Sequence, residues 1–187
     1  MIEPFSLPAE LVETPEEEIV SRIKVLETNS TFGKFSIEPL ERGHGITIGT
    51  PLRRILLSSI PGTAVTWVKI GDVLHEYASV PRVKEEVMEI LQNVKGIRIA
   101  SSSERPGKMR LEVTGEGRVC AGDIATSSEF KIVNPDLHLL TLDSPDASIY
   151  IEFNVEQGKG YQYTEHGEGL PVGVMPVDAI FSPVRKV

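Results

Sequence analysis

The sequence predicts an α+β fold, an antiparallel sheet accompanied by two helices. Short segments that alternate apolar and polar residues follow one another along most of the chain, with turns rich in glycine and proline between them. Only two segments have apolar residues at helical spacing. Strands and helices do not alternate regularly, as a parallel sheet would require, and antiparallel pairing is therefore favoured.

The composition is that of an ordinary globular protein. The chain has 187 residues, of which 40% are hydrophobic and 25% are charged, so it can bury a core as one medium domain or two small ones. Cys120 is the only cysteine, which excludes a disulfide within the chain and fits a reducing compartment. No apolar run approaches the roughly 20 residues of a membrane span, and we expect a cytoplasmic location.

The net charge of −8 argues against nucleic acid as a direct partner, because proteins that hold phosphates usually carry a basic surface. Acidic residues are concentrated at the start, where residues 1–19 hold six glutamates and no lysine or arginine. We interpret this stretch as a solvated acidic extension. Basic or apolar protein surfaces are the favoured partners.

The first predicted strands are residues 21–25 and 34–38, which alternate with period two. They form a half-buried hairpin with Phe35 and Ile37 on its covered face. Residues 64–70 form the next strand. Gly71 and Asp72 make a hairpin turn that leads into another strand, residues 73–77, which contains His75.

A second helix is predicted to begin near residues 79–81 and to end at Lys95 and Gly96. Its apolar stripe consists of Val83, Val87, Ile90, Leu91 and Val94. Glu85 and its acidic neighbours lie off this stripe, toward solvent. Short strands follow at residues 96–101, 108–113, 130–133, 138–142, 148–155 and 174–181. Residues 158–173 contain five glycines and are predicted to be a long loop.

The sequence offers no established catalytic or metal-binding motif. Its four histidines are widely separated, and neither CxxC, HExxH nor GxSxG occurs. Cys120 follows Val119 in a strand-like segment and is predicted to be a buried thiol. We therefore expect no catalytic residue, no metal and no cofactor.

One glycine-rich stretch leaves an enzymatic alternative open. Gly43, Gly45 and Gly49 lie between a predicted strand and a predicted helix, where a nucleotide-binding loop would be found. The spacing is GxGxxxG, one residue longer than the dinucleotide motif, and the Lys-Ser/Thr pair of a P-loop is missing. A nucleotide-binding enzyme that uses residues 43–49 is the alternative interpretation.

The first helix, within residues 48–60, is predicted to have two different faces. Thr50 is its cap and Pro51 its first residue. Arg54 lies beside an exposed Leu57, and Arg53 lies between the faces. An arginine next to an exposed leucine, with no acid nearby in sequence, indicates a contact with an acidic group or a backbone carbonyl of another chain. The opposite arc is predicted to be the core face and consists of Ile48, Leu52, Ile55, Leu56 and Ser59.

Six segments resemble the N-terminal domain of the α subunit of bacterial DNA-directed RNA polymerase. They are Glu-Pro-Leu-Glu-Arg-Gly at 38–43, Gly-Thr-Pro-Leu-Arg-Arg-Ile-Leu-Leu-Ser-Ser at 49–59, Pro-Gly at 61–62, Val-Leu-His-Glu-Tyr at 73–77, Glu-Ile-Leu-Gln-Asn-Val-Lys-Gly at 89–96 and Val-Asp-Ala-Ile-Phe-Ser-Pro-Val at 177–184. The resemblance is collinear from about Ile19 to the end of the chain.

The resemblance implies a dimerisation subdomain that is discontinuous in sequence, residues 20–61 and 181–187. It implies an inserted, mainly antiparallel β subdomain with one helix at residues 62–180, and an acidic N-terminal extension at residues 1–19. The implied function is an assembly scaffold, a homodimer that binds the β and β′ subunits. Such a subunit belongs to a nucleotidyltransferase complex without itself being catalytic.

The resemblance also implies roles for individual residues. Arg54, Leu57 and His75 would contact β. Lys95 and Val177 would lie on the surface that meets β′. The dimer interface would use the other face of the first helix, with Leu52, Ile55, Leu56 and Ser59.

The family continues beyond the position of Val187 with another strand, a second dimerisation helix, a linker and a DNA-binding C-terminal domain. We therefore expect this chain to be a truncated form that lacks part of its dimer interface and does not bind DNA directly. The resemblance assigns no role to the acidic extension or to Arg53.

Overall fold

The computed structural model describes residues 20–163 and 170–187. The predicted acidic extension at residues 1–19 and part of the predicted loop at 158–173 lie outside the described residues. The chain divides into two compact units, one ending at Pro51 and the other covering Leu52–Val187. The boundary falls inside the first helix, and each unit is described by itself.

The first unit contains the predicted hairpin. Strand β1, Arg22–Thr28, pairs antiparallel with strand β2, Gly33–Glu38. The Asn29 side chain holds the turn by accepting hydrogen bonds from the backbone of Thr31 and Phe32. The hairpin is confirmed, but the prediction that its apolar face is half-buried is wrong for Phe35, which is exposed. A two-stranded ribbon has no second layer of its own to cover such a face.

Helix α1, His44–Ser58, begins six residues before the predicted cap at Thr50. Pro51 therefore lies inside the helix, where its missing N–H costs one backbone hydrogen bond. None of the residues of α1 is buried. The predicted core face is thus wrong, because none of its side chains is buried among the described residues.

The second unit is built on a six-stranded sheet in which the strands have the order β5-β9-β3-β4-β7, while β11 also pairs with β3. The elements after α1 are β3 (Pro61–Ile70), α2 (Val87–Val94), β4 (Ile99–Ser101), β5 (Gly107–Thr114), β6 (Gly117–Cys120), β7 (Phe130–Ile132), β8 (His138–Leu142), β9 (Ser148–Lys159), β10 (Tyr161–Gln162), β11 (Val174–Pro176) and β12 (Ala179–Ile180). Smaller antiparallel pairs join β6 to β8 and β10 to β12. The predicted α+β class is confirmed.

The core of this unit lies on one face of the sheet. Phe153 on β9 is paired with Val68 on β3 and with Met109 on β5, and all three side chains are fully buried. The stripe of α2 joins the same cluster through Val87, Ile90, Leu91 and Val94, as predicted from its spacing. Burying each of these side chains contributes about 1.5–3 kcal/mol before the entropy cost of ordering.

The second helix begins at Val87, later than the predicted start at residues 79–81. Arg82 has a φ of 64°, which a regular helix does not allow, and its guanidinium donates to the Asp146 carbonyl. Single bridges pair Ser79 with Glu86 and Val83 with Leu142. The distant partners of Arg82 and Val83, together with the local bridge from Ser79 to Glu86, hold residues 79–86 outside the helix.

Three further strand predictions are corrected by the structure. Residues 73–77 form no strand and follow β3 as turns and irregular backbone. The segment predicted as one strand at 174–181 is divided into β11 and β12. Strand β9 extends to Lys159, so that Gly158 lies in a strand and not in a loop. Cys120, at the end of β6, is half-buried and not fully buried as predicted.

Candidate protein interface

Helix α1 presents two exposed arginines. Neither Arg53 nor Arg54 forms an ion pair with any residue that the structure describes. The Arg54 backbone carbonyl accepts a hydrogen bond of 2.7 Å from Ser58 Oγ. This bond does not involve the Arg54 guanidinium. An arginine fork in this position can bind a carboxylate from another molecule.

The apolar residues of α1 are distributed differently from the prediction. Leu52, Ile55 and Leu56, assigned to the covered face, are 42%, 53% and 36% exposed. Leu57, predicted to be exposed beside Arg54, is half-buried. The helix therefore offers a row of accessible aliphatic side chains, and a helix of this length is marginal without a partner for such a row.

His75 lies in the irregular segment after β3, away from the arginines of α1 in the sequence. It lines a groove of about 570 Å³ whose apolar wall includes Ile70, Val73 and Ile149. The structure places Arg54 and Leu57 on α1 and His75 in this separate segment. The contacts themselves stay predictions.

Lys95 and the residue after Val177 are joined by an ion pair. Lys95 Nζ lies 2.7 Å from Asp178 Oδ2, and the two side chains are 24% and 18% exposed. Val177 itself is only 1% exposed, and its N–H donates to the Thr66 carbonyl. The contact of β′ with Val177 stays a prediction. The Val177 side chain belongs to the buried core, whereas the neighbouring Lys95 and Asp178 side chains are partly exposed.

Tyr161 places an aromatic ring at the same position. Strand β10 pairs with β12, with Tyr161 opposite Ile180, two residues beyond Asp178. Partial burial, followed by a hydrogen bond to the Asp178 carboxylate, raises the pKa of the Tyr161 hydroxyl. Sequence reasoning missed both residues. Asp178 appeared only inside a motif, and Tyr161 fell in a segment predicted to be a loop.

The densest polar cluster surrounds Glu85, which was predicted to face solvent. Its carboxylate accepts hydrogen bonds from the Thr141 backbone at 2.6 Å and from the Thr141 hydroxyl at 2.9 Å. His138 Nε2 lies 2.9 Å from Glu85 Oε1, and Arg118 Nε donates to His138 Nδ1 at 3.2 Å. Because Nδ1 accepts, the proton of His138 sits on Nε2 and is donated to Glu85. The cluster fastens residues 79–86 to β8.

The Glu85 cluster predicts a pH dependence of stability. Burial raises the pKa of Glu85, but the hydrogen bonds from His138 and Thr141 outweigh it, so the pKa lies below its ordinary value of 4.5. Because the pKa of Glu85 is lower in the folded than in the unfolded chain, its carboxylate stabilises the fold at every pH above the unfolded-state pKa. This stabilisation is lost as the pH falls through the folded-state pKa. We expect Glu85→Gln to cost about 1–2 kcal/mol at neutral pH and less at about pH 3.5, as measured by urea unfolding.

Glu89→Gln is the matched control for this measurement. Glu89 is an exposed glutamate on α2, and its replacement should change the free energy of unfolding by less than about 0.5 kcal/mol at both pH values. An equal cost of Glu85→Gln at neutral and at acidic pH would contradict the assigned role of the ionised carboxylate.

The described residues also bear on the enzymatic alternative. Gly45 and Gly49 lie inside α1, so residues 43–49 do not form the phosphate-binding loop that a nucleotide-binding enzyme would need. Within the part of the chain that the structure describes, no group of three or more His, Cys, Asp or Glu side chains is arranged to hold a metal ion. Neither of the described helices has the length and apolar character that crossing a lipid bilayer requires.

Comparison with known proteins gives one consistent result. The α subunit of DNA-directed RNA polymerase from Desulforudis audaxviator (strain MP104C) is 49% identical over 178 residues, which cover 94% of this chain and 55% of the relative. The subunit of the same name from Alkaliphilus oremlandii (strain OhILAs) is 48% identical over 170 residues, 89% of this chain and 53% of the relative. That of Roseiflexus sp. (strain RS-1) is 49% identical over 166 residues, 89% of this chain and 51% of the relative.

The chain thus spans about half the length of the curated relatives it matches. The family described as the RNA polymerase Rpb3/RpoA insert domain matches residues 68–182, which include α2, most of the sheet and the Lys95–Asp178 pair. The resemblance to the α subunits of bacterial RNA polymerase is thereby confirmed. Since this match covers more than half of the chain, the protein belongs to the RNA polymerase Rpb3/RpoA insert-domain family.

Proposed function

We propose that this protein is an α-type subunit of a DNA-directed RNA polymerase that acts in transcription as a non-catalytic assembly scaffold in the cytoplasm. It forms a homodimer and binds the β and β′ subunits. The observation that carries the proposal is helix α1, which has no buried residue and presents aliphatic side chains beside two arginines without an acidic partner among the described residues.

The two kinds of side chain on α1 support two different contacts. The aliphatic side chains Leu52, Ile55 and Leu56, with Ser59 at the end, serve the dimer, because apolar surface of this kind is stabilised by burial against a second copy. Arg54 contacts β, where a carboxylate or backbone carbonyl satisfies its guanidinium. Leu57, half-buried beside it, supports the arginine stem.

The remaining proposed contacts lie after α1 in the chain. His75, at the rim of the groove after β3, extends the β contact. Lys95 and Val177 mark the β′ contact, and the Lys95 ammonium is the accessible group of the two. The proposed division assigns residues 20–61 and 181–187 to dimerisation and residues 62–180 to the inserted part. In its support, the buried core cluster around Phe153 is built from residues between Val65 and Val177.

The proposal is tested by capturing β and β′ from the same organism on the affinity-tagged chain. The parent chain is expected to retain both subunits. Arg54→Ala should reduce the captured β by about tenfold or more, because arginines at the centre of an interface carry an unusual share of the binding energy. Its melting temperature should stay unchanged, since Arg54 is exposed and makes no ion pair among the described residues.

Arg110→Ala is the matched control, because Arg110 is an exposed arginine on strand β5 and not on α1. It should capture as much β as the parent does. Equal capture by Arg54→Ala and the parent would refute the role given to Arg54. A parent chain that retains neither subunit would refute the scaffold function itself.

A further inference from the structure

The charge of Lys95 is already compensated within the chain. Its ammonium lies 2.7 Å from Asp178 Oδ2, and both side chains are more than three-quarters removed from solvent. An exposed lysine that recruits a partner acid would instead keep its ammonium in water until the partner arrives. The ion pair with Asp178 therefore holds the Lys95 ammonium in one position. Lys95 retains two further N–H donors, because an ammonium has three and Asp178 takes one.

The surface beside this pair is aromatic. Tyr161 is 59% exposed, and it lies across the strand pair from Ile180, two residues beyond Asp178. Val177 is buried and cannot supply apolar contact area without a change of the fold. Tyrosine is enriched at the centres of protein interfaces, because it combines a large apolar ring with a polar tip. The accessible group at this point thus consists of an oriented ammonium and a partly exposed ring.

We infer that Asp178 and Tyr161 belong to the β′-binding surface around Lys95, with Asp178 as the residue that positions the ammonium and Tyr161 as the aromatic contact. This rests on the proposed function. The matching surface of β′ then offers an apolar side chain for the ring and neutral acceptors, such as backbone carbonyls, for the ammonium. An acidic side chain of β′ would compete with Asp178 for the same charge.

Asp178→Asn separates this arrangement from a free-lysine contact. The substitution keeps the shape of the side chain and removes its charge, so a lysine that paired with an acid of β′ would bind more tightly. An oriented ion pair predicts the opposite, a reduction of captured β′ by about tenfold, because the ammonium is no longer held. Asp178→Glu, which keeps the charge, should recover part of the loss.

The pair is tested further by combining the substitutions. If Asp178 acts only through Lys95, the double variant Lys95→Ala/Asp178→Asn should capture no less β′ than Lys95→Ala alone. Tyr161→Ala should also lower the captured β′ by about tenfold, whereas Tyr161→Phe, which keeps the ring, should lower it by less than about threefold. Tyr161 is mainly exposed, so its variants test the surface with little risk to folding.

Three controls make each outcome decisive. Capture of β should be unchanged in every variant, the melting temperature should be unchanged in the Tyr161 variants, and Lys131→Ala, at an exposed lysine on β7, should capture β′ like the parent. The Lys95 and Asp178 variants break a part-buried ion pair, so their capture is measured well below their own melting temperatures. Undiminished capture by Asp178→Asn, or by Tyr161→Ala, would overturn the inference while the scaffold function stands. Failure of the parent chain to capture β′ at all would instead overturn the proposed function.

Discussion

Gly62→Ala is expected to destabilise the protein by about 3 kcal/mol, which for a chain of this size lowers the melting temperature by roughly 10 °C. Gly62 lies near the start of β3, and a Cβ built on it would overlap the Phe181 carbonyl oxygen. A backbone atom cannot move aside as the end of a flexible side chain can, so the strand or the Phe181 segment must shift.

The facing glycine shows why this position is so closely packed. Gly158 on β9 is paired directly with Gly62, and its missing Cβ makes room for the Phe181 ring. Phe181 is buried, and together with Ala64 and Ala179 it forms a small second core. The two glycines form a slot across the strand pair. The Phe181 backbone lies against Gly62, and the Phe181 ring lies against Gly158.

Gly49→Ala is the matched control for Gly62→Ala. Gly49 lies inside α1, and nothing lies within 4 Å of the position its Cβ would take. Alanine is the better helix former by about 1 kcal/mol, so this variant should be at least as stable as the parent. Thermal and urea unfolding of both variants measure the difference. A fully stable Gly62→Ala chain would contradict the slot.

Ile55→Asp is expected to abolish self-association without destabilising the monomer. Ile55 is 53% exposed in the chain and belongs to the row of aliphatic side chains on α1. A charge in the middle of an apolar interface costs about 3 kcal/mol, which weakens the dimer roughly a hundredfold. Because no residue of α1 is buried within the monomer, the melting temperature measured at high dilution should not fall.

Sedimentation over a concentration series measures this effect. Val133→Asp is the control, because Val133 is comparably exposed at 57% but follows β7 and does not lie on α1. It should sediment like the parent. A parent chain that stays monomeric at every concentration would contradict the proposed dimer, and an Ile55→Asp chain that still dimerises like the parent would remove α1 from its interface.

Much of the architecture follows from local patterns. The period-two alternation around residues 21–38 predicted the hairpin, and the stripe from Val87 to Val94 predicted which side of α2 is buried. Both rest on the geometry of one element, in which every second strand residue, or every third and fourth helix residue, shares a face. These patterns do not state how far an element extends or whether anything covers its apolar face.

The errors share one physical origin. The spacing from Val83 onward continues the helical stripe of α2, yet the bridge from Val83 to Leu142 and the hydrogen bonds from Glu85 to Thr141 hold that segment outside the helix. The row on α1 has the pattern of a core face, although none of its side chains is buried among the residues that the structure describes. In each case the local pattern does not contain the information on what lies against the element.

The sequence by itself therefore determined the α+β class, the order of most elements and the family resemblance, since these depend on periodicity and on contiguous motifs. Only the tertiary structure decided which groups are accessible at the proposed β′ surface. It buries Val177 and joins Lys95 to Asp178 and Tyr161 across segments that are far apart in the chain. The physical reason is that such contacts form where strand pairing brings together segments that are distant in the chain. The sequence around one residue does not indicate which residue will lie opposite it.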